Sequence, residues 1–432
     1  MRLSLRGCSG LSCGVIATES TLSVRDVATR SVPTTTHHPT TTAPQQKNEN
    51  YTVMKQITVA VDSFKGSLSS FEVATAAEQA IHARLPHCRV QKIAIADGGE
   101  GTAQALVSTL NGEWREVRTS DPLMRPIKAR YGVINNGKTA IIEMATASGL
   151  TLLKDEERNP LLATTYGTGE LIADAVRQGA RHLLIGIGGS ATNDAGMGML
   201  EALGYRFYDS KGNNVAGCGA HLERVAHIDA SGALPALKEC LIEVACDVTN
   251  PLYGATGAAY VYALQKGATP AVVEQLDQGL RIFAEVVNAE AAFAPGAGAA
   301  GGMGYALQAV LGARLRAGID MVLDAIRFDE IVSGSDLVIT GEGRIDYQTV
   351  MGKAPSGVLK RAKAQGIPVV AIGGSVADCE ALRESDFAAI LPVVAGPITL
   401  QQAMQREVAE DNVRRTVEQI VRLTTLNLNK DE

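Results

Sequence analysis

ITVAVDSFKGSLSS, residues 57–70, is the stretch of this 432-residue chain that decides its fold. The run ITVAV is typical of a buried strand, and apolar residues then recur at helical spacing over 69–84, behind Ser69 or Ser70 as an N-cap. A charged and polar turn lies between the two. Because ligands of open α/β sheets bind outside the carboxyl ends of the strands, this turn is a candidate edge of an active site.

The same strand–helix alternation recurs at both ends of the chain. A second strand and helix are predicted over 91–97 and 101–112. The late part of the chain repeats the pattern, with strands over 335–343, 367–375 and 387–394 and helices over 355–365, 376–384 and 399–424. Five such strands predict one parallel, doubly wound sheet with helices on both faces. Two of them come early and three late, so we predict a discontinuous α/β domain over 54–115 and 325–432 with an α/β domain inserted over 116–324.

The middle of the chain has its own pattern. Residues 127–144 predict a β-hairpin with an Asn-Asn-Gly turn. Residues 132–139 also match the phosphate-loop expression G-x-x-x-x-G-K-[ST], but β-branched, alternating residues follow them instead of the required helix. Helices are expected over 166–179 and 271–290, and strands over 182–188 and 242–248.

Composition limits the function classes. A net charge of −6 argues against a nucleic-acid or anionic-membrane partner, and no apolar run approaches the ~20 residues of a membrane span. The seven cysteines are scattered and form no CxxC pair, which argues against a disulfide framework or a zinc site. Residues 1–53 are rich in Thr, Pro, Gln and Asn and are expected to be a disordered extension. Their composition allows organelle targeting, but we expect a soluble cytoplasmic protein.

A glycine-rich segment over 183–209 leaves two interpretations open. It contains Gly186-x-Gly188-x-x-Ala191 and an acid at Asp209, which imitates the fingerprint of an NAD-dependent oxidoreductase. Alternatively, its backbone amides at a helix entrance suit another anion. The polar residues Ser190, Asn193 and Asp194 argue against a purely packing role for the glycines.

Four further clusters share one feature, a carboxylate beside glycine or another polar residue at the end of an apolar strand. They lie at 62–66, 97–102, 247–251 and 341–346. Carboxylates, one lysine, one arginine and glycine amides suit phosphoryl transfer, since carboxylates bind Mg²⁺ and accept a proton while cations and amides neutralise phosphate oxygens. None of the clusters contains histidine, and none contains the G-x-S-x-G elbow of a serine hydrolase.

Eight motifs carry a family resemblance: DSFKGSLSS, ADGGEGT, IEMATASGL, TTYGTGELI, GIGGSATNDAGMGML, CDVTNPLYGATGAA, PGAGAAGGMGYAL and TGEGRIDYQT. From Met54 to about Ile420 the chain resembles the type I glycerate kinase family. The resemblance implies two α/β domains, one flavodoxin-like and the other inserted into it, with the active site in the cleft between them. It also implies phosphorylation of D-glycerate by ATP with Mg²⁺, with 2-phosphoglycerate favoured over 3-phosphoglycerate. A kinase for another small hydroxy acid, the oxidoreductase and a catalytically dead binding module are the alternatives.

The candidate site residues follow from these clusters. The predicted catalytic residues are Asp194, Lys65, Asp62, Asp346 and Arg344, with Asp194 first and Asp346 second for the role of base or Mg²⁺ ligand. The predicted nucleotide-binding residues are Gly188, Gly189, Ser190, Asn193, Gly98, Gly99 and Glu100. Asp247 and Glu342 are the predicted Mg²⁺ ligands. D-glycerate is the expected small-molecule partner, and a homo-oligomer is left open.

Overall fold

The computed structural model of the chain describes residues 54–426. The predicted disordered extension, residues 1–53, lies outside the described residues, as does the segment 427–432. The described residues all fall within one compact unit of the chain.

Residues 54–426 form thirteen strands. In chain order these are β1 (Gln56–Val61), β2 (Arg89–Ala94), β3 (Glu113–Ser120), β4 (Pro126–Ile134), β5 (Thr139–Glu143), β6 (His182–Gly186), β7 (Arg206–Tyr208), β8 (His227–Asp229), β9 (Leu241–Ala245), β10 (Arg314–Arg316), β11 (Leu337–Ile345), β12 (Val369–Val376) and β13 (Ala389–Pro392).

The same residues form fourteen α-helices. They are α1 (Ser70–Arg84), α2 (Thr102–Thr109), α3 (Ala145–Ser148), α4 (Tyr166–Arg177), α5 (Met197–Ala202), α6 (Ala258–Tyr262), α7 (Pro270–Val287), α8 (Ala299–Ala309), α9 (Gly318–Ala325), α10 (Phe328–Val332), α11 (Ala354–Ala364), α12 (Glu380–Arg383), α13 (Leu400–Ala403) and α14 (Arg406–Thr424). Short 3₁₀ helices span Leu150–Leu152, Asp155–Glu157, Gly219–Arg224, Pro235–Glu239, Leu264–Lys266, Glu290–Phe293 and Thr349–Met351. No helix of the described residues is long and apolar enough to cross a membrane.

The first sheet has five parallel strands in the order β2-β1-β11-β12-β13. Numbered along the chain within this sheet, the order is 2-1-3-4-5, which is that of flavodoxin-like folds. The prediction of a parallel sheet with two early and three late strands is confirmed. The strand order reverses between β1 and β11, where Val61 lies beside Gly341. Ligands of such sheets bind in the crevice outside the carboxyl ends of these two strands.

The second sheet is built wholly from the intervening segment. Its six strands run in the order β10-β9-β6-β5-β4-β3, in which the pairs β3–β4 and β4–β5 are antiparallel and the other three pairs are parallel. The molecule therefore has two α/β domains, although the sequence bounds given above for them stay a prediction. Strands β7 and β8 form a separate antiparallel ribbon.

Local sequence accounts for the first strand–helix unit. The side chain of Ser69 accepts a hydrogen bond from the amide of Glu72, and the Glu72 carboxylate accepts one from the amide of Ser69. This reciprocal capping box satisfies amides that the first turn of α1 leaves unpaired. The polar turn over 62–69 is thereby fixed between a buried strand and a capped helix.

The structure excludes two nucleotide-binding motifs that the sequence resembles, the phosphate loop and the dinucleotide fingerprint. Residues 132–139 form the turn between antiparallel β4 and β5, with Asn135 and Asn136 at φ 53° and 56°, so they are not a phosphate loop. After β6, the helix α5 has only six residues and β7 joins the separate ribbon, so no dinucleotide-binding βαβ unit forms. Asp209 accepts the amides of Lys211 and Asn213 within its own turn. This geometry contradicts the oxidoreductase alternative.

The late helices differ from the prediction in two places. The helix expected over 376–384 is reduced to α12, because β12 extends to Val376 and the next amide, of Ala377, still pairs with Ile345 at 2.8 Å. The helix expected over 399–424 is split into α13 and α14, because Gln405 adopts an extended conformation between them.

Three large apolar clusters hold these layers together. One lies around the second sheet and α4, α5, α7 and α8, and another packs α1 and α14 on one face of the first sheet. The third covers the other face of the first sheet and is shared by both sheets, since it contains Ile93 and Val338 together with Ile141 and Leu184. Burial of such side chains contributes roughly 1.5–3 kcal/mol each. The shared cluster therefore joins the two domains beside their facing strand ends.

Candidate active site

The carboxyl ends of β1 and β11 place two acids side by side at the reversal of strand order. Asp62 follows β1 directly, and Glu342 lies one residue beyond Gly341, the partner of Val61 in β11. Asp97 follows β2 on the neighbouring strand. All three acids line one cleft, as expected for the shared edge of a parallel sheet.

The first compartment of the cleft has a volume of about 410 Å³. Its polar wall comes from the first sheet, and its lining side chains there are Asp62, Ser63, Lys65, Ser67, Asp97, Glu342, Arg344, Lys353 and Ser375. Its other wall is apolar and includes Val393, Val394, Leu400 and Met404, from the segment between β13 and α14. The polar wall combines three cations with three carboxylates, so it offers charged groups of both signs to a small polar ligand.

The second compartment has a volume of about 490 Å³ and faces the second sheet. Its polar lining comes from Gly98, Gly99, Gly188, Gly189, Ser190, Asp247, Tyr262, Gln265 and Lys266. Lys65 and Asp97 line both compartments. The two spaces are therefore parts of one cleft that meet at these two side chains.

Glycine at position 98 allows the two domains to approach each other here. It has φ 89°, and a Cβ on Gly98 would lie 2.6 Å from both the Cβ of Ala245 and the Cα of Gly318. No real Cβ contact is that short, so any other residue would push the second sheet away from Asp97. The same contact brings Asp247, at the end of β9, toward Asp97, and the Asp247 carboxylate accepts the amide of Gly318 at 3.0 Å.

The acids of the cleft are held close enough to affect one another. Burial raises the pKa of Asp62 from its ordinary value of 3.8 to about 6, and the Asp97 and Glu342 charges add to that rise. A hydrogen bond from the amide of Ser63, at 2.5 Å, and the charge of Lys65 oppose it. Burial likewise raises the pKa values of Glu342 and Asp247, with Asp97 contributing to both. Asp62 thus combines access to the cleft with a pKa near neutrality, the properties of a general base.

The glycine loop after β6 forms the floor of the second compartment. Gly188 and Gly189 are exposed there, and Gly189 has φ 72°. The amide of Leu150 donates to the Gly189 carbonyl at 2.9 Å, which holds the loop against the residues that follow α3. Exposed backbone in this conformation presents amides to an anion.

The structure encloses Asp194, the first predicted base, away from the cleft. Its side chain is 0% exposed and is absent from the lining of both compartments. One carboxylate oxygen accepts the amide and hydroxyl of Thr165, each at 2.8 Å, and the amide of Gly198 at 3.2 Å, while the other accepts the amide of Gly196 at 3.1 Å. Burial raises the pKa of Asp194 and these hydrogen bonds oppose the rise. A carboxylate enclosed in this way holds the starts of α4 and α5 and does not line either compartment.

Three other predicted residues lie outside the cleft lining. Asn193 is 0% exposed, and neither amide atom of its side chain has a hydrogen-bond partner among residues 54–426. Glu100 is exposed away from the cleft, and Asp346 pairs with Arg344 at 3.2 Å. The remaining predicted residues, Asp62, Lys65, Gly98, Gly99, Gly188, Gly189, Ser190, Asp247, Glu342 and Arg344, line one compartment or both.

Two lysines that line the cleft, Lys353 and Lys266, were not identified from the sequence. Lys353 lies at the start of α11, where its charge lowers the pKa of Glu342 against the effect of burial. Its place just before a predicted helix, nine residues beyond Arg344, was a usable indication. Lys266 lies beneath the glycine loop, far from any motif with a recognisable chemistry, and nothing in the sequence pointed to it.

Comparisons with known proteins agree with this architecture. The model of the glycerate kinase family matches residues 57–425. A glycerate kinase of Bacillus subtilis (strain 168) is 46% identical over 372 residues, which cover 84% of this chain and 96% of that protein. A glycerate 2-kinase of Escherichia coli (strain K12) is 45% identical over 365 residues, covering 83% and 95%. A crystal structure named for glycerate kinase 2 of Salmonella typhimurium LT2 aligns with TM-score 0.78 at 45% identity, covering 86% of this chain and 98% of that one.

The fold and the cleft define an α/β enzyme with two domains and a polar site between them. At this level of similarity over nearly the whole described chain, the family is not in doubt. The chain belongs to the glycerate kinase family and is a kinase. The recognition made from the eight motifs is confirmed.

Proposed function

We propose that this kinase transfers the γ-phosphoryl group of MgATP to the 2-hydroxyl of D-glycerate, giving 2-phosphoglycerate and ADP. The observation that carries the proposal is the junction of the two compartments at Lys65 and Asp97. Phosphoryl transfer needs donor and acceptor oxygens in line about 3–3.5 Å apart, with water excluded. Two connected spaces with a cation at their junction suit a donor in one and an acceptor in the other.

The nucleotide phosphates are assigned to the second compartment. Its glycine loop, with Gly188 and Gly189, offers backbone amides, and the hydroxyl of Ser190 adds a further donor. Such donors neutralise phosphate oxygens without requiring a particular base in the nucleotide. Lys65, at the junction, is assigned to the charge that develops on the transferred group.

D-glycerate is assigned to the first compartment. Its carboxylate would meet Arg344 or Lys353, while its hydroxyl would face Asp62. With a pKa of about 6, Asp62 is ionised at neutral pH yet retains enough basicity to accept the hydroxyl proton. Asp62 therefore replaces Asp194 as the proposed base.

The acids of the cleft fit Mg²⁺ that arrives with the nucleotide. Within residues 54–426, no three His, Cys, Asp or Glu side chains come together tightly enough to hold a metal by themselves. Kinase sites commonly hold Mg²⁺ with one or two carboxylates together with substrate phosphates. Asp247 and Glu342 each have one carboxylate oxygen that accepts a protein donor, Gly318 and Thr349 respectively, which leaves the other oxygen for such a role. Bound Mg²⁺ would offset the negative charge that these acids and the phosphates share.

The preference for the 2-hydroxyl is supported by the name of the Escherichia coli relative, which is a glycerate 2-kinase. That relative is 45% identical to this chain over 365 residues. The size of the first compartment supports a small acceptor.

A panel of acceptors tests the proposal. ADP release from MgATP would be followed with D-glycerate, L-glycerate, glycolate and D-lactate, using the Asp62→Asn variant as the control for contaminating kinases. We expect D-glycerate to give the highest kcat/KM and the variant to give almost no signal. Faster turnover of another hydroxy acid would favour the kinase of different specificity, and no ADP release with any acceptor would refute the proposal.

A further inference from the structure

One lysine of the cleft is buried beneath the loop that lines the second compartment. Lys266 is only 2% exposed and ends a 3₁₀ helix just before Gly267. Its ammonium nitrogen lies 2.7 Å from the hydroxyl oxygen of Ser190 and 2.7 Å from the carbonyl oxygen of Thr192. Both partners belong to the loop after β6. Lys266 thus connects this loop to a segment more than 70 residues further along the chain.

The hydrogen bonds of Lys266 fix the direction in which Ser190 donates. An ammonium group has three donors and no acceptor, so the Ser190 oxygen must accept from Lys266. The hydroxyl proton of Ser190 is then free for another acceptor, and among the described residues no other side-chain partner of that hydroxyl is found. Ser190 lines the second compartment, so its proton is available to a ligand there.

The surroundings favour the ammonium form when a ligand is bound. Burial lowers the pKa of Lys266 to about 7, and the negative charge of Asp194 opposes that fall. An anion bound above Ser190 would oppose it further. Asp194 therefore has a second effect besides holding α4 and α5, because its negative charge stabilises the ammonium form of Lys266.

We infer that Lys266 is a positioning residue, which holds the Ser190 hydroxyl as a hydrogen-bond donor to a phosphate oxygen of the nucleotide. The inference rests on the proposed assignment of the nucleotide to the second compartment. It adds a residue that acts on the ligand through another side chain. Lys266 would then be needed for nucleotide affinity more than for acceptor affinity.

The experiment compares Lys266→Met, Ser190→Ala, the double variant and Ser190→Thr, with Lys238→Met at an exposed position as the matched control. ADP affinity would be measured with Mg²⁺ by calorimetry without acceptor, alongside melting temperatures and both KM values. We expect Lys266→Met and Ser190→Ala each to weaken ADP about tenfold or more, the scale of a hydrogen bond to a charged group. The double variant should be no weaker than Lys266→Met alone, because the lysine acts through the serine. Ser190→Thr keeps the hydroxyl and should stay within threefold of wild type, as should Lys238→Met.

Several results would overturn the inference. Additive losses in the double variant would show that Lys266 acts independently of Ser190, and equal rises of the two KM values would indicate a general structural role. If Lys266→Met does not fold, the comparison of Ser190→Ala with Ser190→Thr tests the inference. An unchanged ADP affinity in Ser190→Ala would then refute it. A wild-type chain that binds ADP but does not phosphorylate D-glycerate would refute the proposed acceptor alone. A wild-type chain that binds no ADP would refute the inference itself.

Discussion

Replacing Asp62 with asparagine should stabilise the ligand-free protein and at the same time remove most of its activity. Asp62 is only 8% exposed, and burial is the largest cause of its raised pKa. The ionised form is therefore less stable in the folded protein than in the unfolded chain. Asparagine carries no charge and can still accept the amide of Ser63, so the variant keeps the local hydrogen bond without the cost of burying a charge.

The gain in unfolding free energy can be calculated from the rise in the pKa of Asp62. A rise from 3.8 to about 6 is about 2 pKa units, or about 3 kcal/mol of unfolding free energy at 1.36 kcal/mol per unit. Because the folded protein binds this proton more tightly, wild-type stability falls as pH rises from about 4 to about 6 and is then constant. The gain in the Asp62→Asn variant should therefore be about 3 kcal/mol at pH 8 and about half of that at pH 5.

Thermal or denaturant unfolding of ligand-free protein at pH 5 and pH 8 would measure this gain. Glu156→Gln, at an exposed position, is the control and should change stability little at either pH. Turnover of Asp62→Asn should fall ~10²–10⁴-fold, the range for loss of a general base. The reasoning is refuted if the variant is less stable than wild type at pH 8, or if it turns over within tenfold of wild type.

Three further substitutions separate the roles of other residues. Lys65→Ala should lower kcat/KM at least ~100-fold with little change in melting temperature, because the side chain is exposed and stabilises charge; a loss below threefold would make residues 62–70 an ordinary turn. Asp194→Asn should lower unfolding free energy by about 3 kcal/mol, because the amide NH2 group cannot accept the donors of Thr165, Gly196 and Gly198. With saturating nucleotide the kcat of the folded fraction should stay within tenfold of wild type, and a stable variant with a 100-fold lower kcat would restore Asp194 as the base. Gly98→Ala should reduce both melting temperature and kcat far more than Gly101→Ala, since both glycines have positive φ but only Gly98 lacks room for a Cβ. Equal effects of the two substitutions would show that the contact between the sheets is unimportant.

Much of the fold was predictable because local and periodic patterns agree. The alternation of buried strands and helices identified a parallel sheet, and its division between the two ends of the chain implied an inserted domain. The same logic located part of the site, since residues after parallel strands share an edge. Asp62, Lys65 and Glu342 were found in this way, and all three line the cleft.

The sequence did not reveal which of the acids and lysines are buried. Asp62 and Asp194 are both acids close to glycines after a strand, yet one faces the cleft and the other is enclosed by donors from Thr165, 29 residues earlier in the chain. Lys266 reaches Ser190 across 76 residues of sequence from a short 3₁₀ helix. Such contacts depend on how distant segments pack, and the spacing of residue types along the chain does not encode them.

Phosphorus NMR of the reaction product is the most direct test of the central claim. Purified enzyme would be incubated with MgATP and D-glycerate, and the new phosphate ester would be examined without proton decoupling. Phosphate on the 2-hydroxyl has one hydrogen on the adjacent carbon and should give a doublet, together with ADP in equal amount. A triplet would place the phosphate on the 3-hydroxyl, and inorganic phosphate without a new ester would show that the cleft hydrolyses ATP instead of transferring its phosphoryl group.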